Sequence, residues 1–300
     1  MSDAREGQTF AGRSRVVLYA NFVKLPHTVF ALPFALVGVV LASYASPVTL
    51  RSLGWVVLAF TSARFAAMGF NRIADRHIDA VNPRTMQREI PSGLLGVAEA
   101  RAAVIVASLV FVFAAWQLNP MCGRLSPVAL AWVLFYSYTK RFTRWAHLAL
   151  GLGLAIAPVG GFLAIAGHWS DPWWMLCALA LAVMTWSGGF DVLYALQDAE
   201  FDRAQGLHSL PAALGPARAL SVSRVLHVIT VLMLVAVGVT THAGWLFATG
   251  VAIAASLLLY EHRLVRADDL SKLDAAFFTM NGVISMVLFG FVLAERMVRG

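Results

Sequence analysis

Charge is scarce in this chain. Asp, Glu, Lys and Arg make up 13% of its 300 residues, about half the share of an ordinary soluble domain. A soluble fold could not cover its surface with so few. Cysteine is scarcer still: Cys122 and Cys177 offer neither a disulfide framework nor a metal-ligand spacing, and both read as apolar filler. The eight histidines lack the paired spacing of haem or zinc sites. There is no low-complexity tract and no stretch that reads as a soluble domain. With 59% apolar residues and a mean hydropathy of +0.73, disorder, collagen and coiled coil are excluded.

The apolar residues are gathered in runs. A membrane-spanning helix needs about 20 of them. Runs at approximately 22–44, 52–71, 100–118, 125–139, 146–167, 172–195, 217–239, 243–260 and 273–295 predict nine helices, the fourth short. Ser46-Pro47, Asn119-Pro120, Asp171-Pro172 and Gly215-Pro216 punctuate them. The polar start followed by an apolar run could imitate a secretion signal, with Ser43-Tyr44-Ala45 as its cleavage site. The polar stretch is long and the apolar run continues past it, so a first membrane helix is the better reading. The expectation is an all-α polytopic membrane protein: one domain over 1–300, with 1–20 as a cytoplasmic tail.

Basic residues set its orientation. Arg5, Arg13 and Arg15, then Arg72, Arg76, Arg84, Arg88 and Arg101, then Lys140, Arg141 and Arg144 fall on the N-terminal side of the membrane. Arg203, Arg218, Arg263, Arg266 and Lys272 join them, while Arg51, Arg124, Arg296 and Arg299 fall opposite. Lys24, Arg64 and Arg224 lie within spans. The N-terminus and the long polar segments 72–99 and 197–216 are therefore expected in the cytoplasm of a bacterial-type plasma membrane. The surplus of 23 Lys and Arg over 16 Asp and Glu belongs to this anchoring, not to nucleic-acid binding.

The acids cluster where the second and sixth helices emerge. Asn71, Asp75 and Asp79 are spaced i, i+4, i+8, an arc of about 80° on a continuing helix. Asp191, Tyr194, Asp198 and Asp202 share a similar arc if the sixth helix continues. Like charges four residues apart repel, and acids at membrane depth are costly. A divalent cation offsets both costs. Mg²⁺ prefers oxygen ligands and bridges carboxylates to substrate phosphates. A solvated cap paired with Arg72, Arg76 and Arg203 would explain either cluster alone. Two clusters of the same spacing on the same side favour a site for a diphosphate held through Mg²⁺. Arg72, Arg84 and Arg88 lie in or just after the first cluster, and Lys140 and Arg141 end the fourth helix on the same side, where cations can stabilise a departing diphosphate.

Together these motifs resemble the UbiA family of intramembrane aromatic prenyltransferases. Asn71-x3-Asp75-x3-Asp79, continuing as Asp79-Ala80-Val81-Asn82-Pro83-Arg84-Thr85, is similar to the family's first aspartate-rich motif. The run from Asp191 to Asp202, followed by Gly206-Leu207-His208-Ser209, is similar to the second. Tyr138-Thr139-Lys140-Arg141-Phe142-Thr143 resembles its basic signature. The nine-span count also fits, so the likeness covers nearly the whole chain.

The resemblance implies that a polyprenyl diphosphate ionises with help from Mg²⁺ and that an aromatic ring carbon attacks its allylic carbon. The active site would lie under a cytoplasmic-side cap, with the isoprenoid tail between helices and reachable from membrane lipid. By the same likeness, Asn71, Asp75, Asp198 and Asp202 would hold metal and diphosphate, and Asp79 would support them or contact substrate. Arg72, by its position at the first cluster and not by the likeness, is expected in the substrate-binding set. Lys140 would meet the diphosphate and Arg141 the acceptor carboxylate, since neighbours on a continuing helix point about 100° apart. Asp191 and Tyr194 would lie deeper, near the reacting carbons.

The motif wording is most similar to the 4-hydroxybenzoate polyprenyltransferase subgroup. A naphthalene-type carboxylate acceptor, in the futalosine route to menaquinone, is the alternative. A secondary transporter would also carry intramembrane acids, but the two acidic helices suggest a parallel duplication, not an inverted repeat. Of the histidines, His208, beside the second cluster, is the only one to watch.

Overall fold

A computed structural model describes residues 10, 12, 14–266, 269, 270, 273 and 279–299. Most of these residues are helical, with no named strand and one isolated bridge between Arg266 and Asp269. Nine long helices stand among them: α1 (Leu25–Ala42), α2 (Leu50–Ala74), α3 (Val97–Leu118), α4 (Pro120–Phe135), α5 (Ala146–Ala166), α6 (Trp174–Tyr194), α7 (Pro216–Thr240), α8 (Trp245–Leu264) and α9 (Asn281–Arg299). Seven are long and apolar enough to cross a membrane; α1 and α4 are the shorter two. The chain is a multi-pass membrane protein. Most of the expected tail, Lys272 and the stretch 274–278 of the ninth predicted span lie outside the described residues.

Local chemistry sets the helix ends. Thr49 and Ser52 form a reciprocal capping box at the start of α2. Asn119 accepts from the Cys122 N–H, and Pro120 follows at the first helical position. This pair starts α4 five residues before its expected position. The first predicted span is also divided. A short helix, Arg15–Phe22, ends before Lys24, whose left-handed φ of 48° turns the chain into α1. Pro26 then sits in the first turn, where its missing N–H is harmless.

α6 is the central helix. Its most apolar stretch is 72% buried, against 22% for α2 and for α3. Trp186 of α6 packs on Phe34 of α1 with ring centroids 4.5 Å apart, in a core shared with Leu258 of α8 and Leu288 of α9. α1 and α5 meet through glycines. A Cβ at Gly38 would stand 1.9 Å from the Pro158 carbonyl oxygen, and one at Gly161 would stand 2.1 Å from that of Ala35. Small residues allow such backbone approach where lipid removes the hydrophobic drive between helices.

At one end of the bundle, short helices build a cap: Arg76–Val81 after α2, Ala199–Ala204 after α6, and Leu210–Leu214 before α7. Two 3₁₀ turns join them, Tyr136–Arg141 after α4 and Ala195–Asp198 after α6.

Candidate active site

Neither acidic cluster rides on one continuous helix. α2 ends at Ala74, and Asp75 caps both α2 and the helix after it, at φ −91° and ψ 1°. The i, i+4 relation survives at its start: the Asn71 amide donates to Asp75 Oδ2 at 3.2 Å. Asp79 has turned elsewhere. It is buried and takes Arg88 Nη1 on Oδ1 at 2.8 Å, while its carbonyl accepts from Thr85 Oγ1. This geometry favours the supporting part of the two expected for Asp79, because it pins the loop that carries Arg84.

Asp75 is 3% exposed. Lys140 Nζ reaches its Oδ2 at 2.6 Å, and Arg141 Nη2 reaches its Oδ1 at 3.1 Å. Here the structure departs from the expectation that these two bases point apart. The Tyr136–Arg141 segment is a 3₁₀ turn, not a continuing α-helix, and both long side chains curl onto one carboxylate. Arg141 is further held by the carbonyls of Ala74 and Ser137, at 2.8 Å and 2.9 Å. Arg72 is buried within α2, 4% exposed.

The residues of the second cluster are divided among separate partners. Asp198 is gripped at both oxygens by Arg84, through Nε at 2.9 Å and through Nη2. Asn82 Nδ2 adds a bond at 3.3 Å. The same guanidinium donates from Nη1 to the Tyr194 hydroxyl and lies 5.4 Å from its ring centre, with Lys24 Nζ 5.9 Å away from that ring. Asp191 accepts from His147 Nδ1 at 2.7 Å. Asp202 is raised above the usual carboxylate range by burial and by Asp198 nearby; a Ser209 hydrogen bond and the Lys140 ammonium oppose that rise. Glu200 is exposed.

The cap thus brings together Asn71, Asp75, Lys140 and Arg141 on one side and Arg84, Tyr194 and Asp198 on the other. A backbone bond from His208 N–H to the Lys140 carbonyl, 2.7 Å, helps to close it. Among the described residues, no three His, Cys, Asp or Glu side chains converge as a metal-holding group; Asp75, Asp79 and Asp198 are turned onto basic side chains.

Sequence reasoning missed two residues here, Asn82 and Lys24. Arg84 was foreseen only as a cation after the first cluster, and neither it nor Asn82 could be paired from sequence with Asp198, more than a hundred residues away. Lys24 had one signal, the proline two residues later that marks a helix start. The histidine that reaches a motif acid is His147; the His208 side chain is exposed. A second polar group was also unforeseen: His227 and His262 are hydrogen-bonded at 2.9 Å, beside Glu261, which Asn281 binds at 3.2 Å.

Comparison with known proteins meets this geometry. The model of the UbiA prenyltransferase family matches residues 31–283. The chain is 29% identical over 234 residues to a 4-hydroxybenzoate octaprenyltransferase of Vibrio atlanticus, covering 78% of this chain and 81% of that protein. It matches the enzyme of the same name from Yersinia pseudotuberculosis at 29% identity, over 78% and 79%. Among solved structures, a UbiA homolog from Aeropyrum pernix K1 in its apo form superposes with a TM-score of 0.82 at 31% identity, over 90% of this chain and 98% of that one. A UbiA homolog from Archaeoglobus fulgidus bound to DMAPP and Mg²⁺ shares the fold, with a TM-score of 0.70 at 20% identity over 93% and 99%. With that match over most of its length, and both aspartate motifs joined in one cap, this chain belongs to the UbiA prenyltransferase family.

Proposed function

We propose that this protein transfers a polyprenyl group from a polyprenyl diphosphate to a ring carbon of an aromatic carboxylate acceptor, 4-hydroxybenzoate, in quinone biosynthesis. One observation carries this reading. The two aspartate motifs, far apart in sequence, meet at one end of the bundle through Arg84 and Asp198. Basic and acidic groups thus share one cap beside an apolar interior, as an amphiphilic diphosphate requires. The octaprenyltransferase relatives support the acceptor class. The chain is read as a single membrane domain, with the cap in the cytoplasm and the isoprenoid tail between helices.

Asn71, Asp75, Asp198 and Asp202 would hold Mg²⁺. Their carboxylate and amide oxygens are the donors a hard cation prefers, and the raised, crowded Asp202 is an acid that a cation would keep ionised. When bound, the metal supplies positive charge to the leaving diphosphate. Lys140, Arg84 and Arg72 bind the diphosphate oxygens; guanidinium forks and a point-charge ammonium suit them. Arg141, tied to two carbonyls and Asp75, braces the turn on which Lys140 sits. Asp191 and Tyr194 face the reacting carbons, and Asp191 receives the ring proton.

The test is prenyl transfer by purified protein with Mg²⁺, polyprenyl diphosphates of several lengths, and two acceptors: 4-hydroxybenzoate and a naphthalene carboxylate. A product on the benzoate ring supports the proposal. A product on the naphthalene ring alone moves the protein to the menaquinone route. No product with either acceptor refutes both.

A further inference from the structure

His147 is the second residue of α5 and is 5% exposed. Both of its ring nitrogens are engaged. Nε2 lies 3.3 Å from the backbone nitrogen of Leu210, which can only donate. That nitrogen must therefore carry a lone pair, and in the neutral ring the proton sits on Nδ1. Nδ1 then donates to Asp191 Oδ2 at 2.7 Å. The backbone donor fixes the tautomer, and the tautomer fixes which way the carboxylate is held. Asp191 remains the open member of the pair: its side chain keeps 24% of its surface accessible, against 6% for His147. Its Oδ1 has no partner among the described residues.

We infer that His147 is a positioning residue for this reaction, holding Asp191 by one oxygen so that the other is aimed as the base for the ring proton. The inference rests on the reading of Asp191 given above. In the step it serves, a π pair of the acceptor ring forms the new C–C bond to the allylic carbon. The C–O bond breaks, and its pair leaves with the diphosphate. The substituted ring carbon then carries both the prenyl group and a hydrogen. Its C–H pair returns to the ring as the proton passes to Asp191 Oδ1. Asp191 ends as a carboxylic acid and loses its proton to water as the products depart. The imidazole stays neutral throughout, keeping its bonds to Leu210 and Asp191. Histidine suits the place because it accepts at one edge while donating at the other.

The test uses 4-hydroxybenzoate deuterated at the carbons beside its hydroxyl, or the equally labelled naphthalene acceptor if that is the one turned over. Wild type should show no isotope effect, since proton loss follows the slow step. His147→Leu should lower kcat on the order of a hundredfold, the scale of misplacing a reacting group by about 1 Å. It should also expose a clear primary isotope effect while leaving the donor KM unchanged. His147→Gln, whose amide can accept from Leu210 and donate to Asp191, should recover most of the rate and abolish the isotope effect. If His147→Leu is not recovered from membranes, His147→Asn, too short to span both partners, takes its place. A slow variant with no isotope effect, or a glutamine that rescues nothing, overturns the inference. Asp191→Asn separates the two claims. If it is fast and free of an isotope effect, the reading of Asp191 as the base has failed. If it is slow with the effect while His147→Leu behaves as wild type, only the role of His147 has failed.

Discussion

Arg84 spans both oxygens of Asp198 across 114 residues of sequence, and its third nitrogen reaches the hydroxyl of Tyr194. A planar fork matches a carboxylate in a way an ammonium cannot. Arg84→Lys should therefore lower kcat/KM about tenfold and Arg84→Ala about a hundredfold, within the range of single electrostatic contacts. Asp198→Asn should match the latter. In the double variant the losses should fall short of their sum, with a coupling of about 0.5–3 kcal/mol for contacting residues. Full additivity in prenyl transfer would mean that the pair is not a functional unit.

Lys140 and Arg141 divide the two oxygens of Asp75 between them. Both should therefore act on the donor. Lys140→Ala should raise the donor KM and spare the acceptor KM. Arg141→Lys should do the same more weakly and also lower thermal stability, because one ammonium nitrogen cannot span the acceptors that Nη1 and Nη2 of the guanidinium reach separately. Measured KM values for both substrates decide this. A selective rise in acceptor KM for Arg141→Lys would restore the pairing of Arg141 with the acceptor carboxylate.

Exposure separates the acids on the short helix Ala199–Ala204. Asp202→Asn should cost at least about a hundredfold in rate. Glu200→Gln, altering an exposed side chain, should stay within about twofold of wild type, as surface changes away from special features do. Equal damage from both would show that the whole helix, and not one face of it, meets the substrate.

Activity should vanish in excess EDTA and return with Mg²⁺. The metal requirement should also depend on pH with a definite sign. Asp202 stands above the usual carboxylate range. As pH falls through its raised value it takes up a proton, which must leave before a cation can bind. The Mg²⁺ concentration for half-activation should rise as the medium is acidified, beginning at a higher pH than an ordinary aspartate would set. Ser209→Ala removes a hydrogen bond that lowers the value, and should move this rise to still higher pH. The measurement is Mg²⁺ activation curves across the acid range in wild type and variant.

The membrane architecture was legible because spanning helices must be long and apolar, and the runs say so directly. The two acidic motifs were legible because their repeat matches the helix period. Their aim was not. Expecting α2 and α6 to run on placed Asp79 beside Asp75 and Asp202 in line with Asp198, whereas each helix is broken at the cap. The grip of Arg84 on Asp198 is a long-range contact that no local pattern encodes. Lys24 was hidden for a different reason: one left-handed residue divides what hydropathy reads as a single span. His147 had no motif at all, and only the fold brings it to Asp191.

The turn between α5 and α6, residues 167–173, divides the chain into two pieces that are chemically incomplete. Arg84 and Asn82 lie before it and Asp198 after; His147 lies before it and Asp191 after; the Lys140 carbonyl lies before it and the His208 N–H after. Each piece leaves behind the counter-charge or donor that the other needs. A protein cut there could work only by complementation, with both fragments made in the same membrane and reassembled through those cross-links. Neither fragment could have served alone as an ancestral half-enzyme without its partner or a second copy of itself.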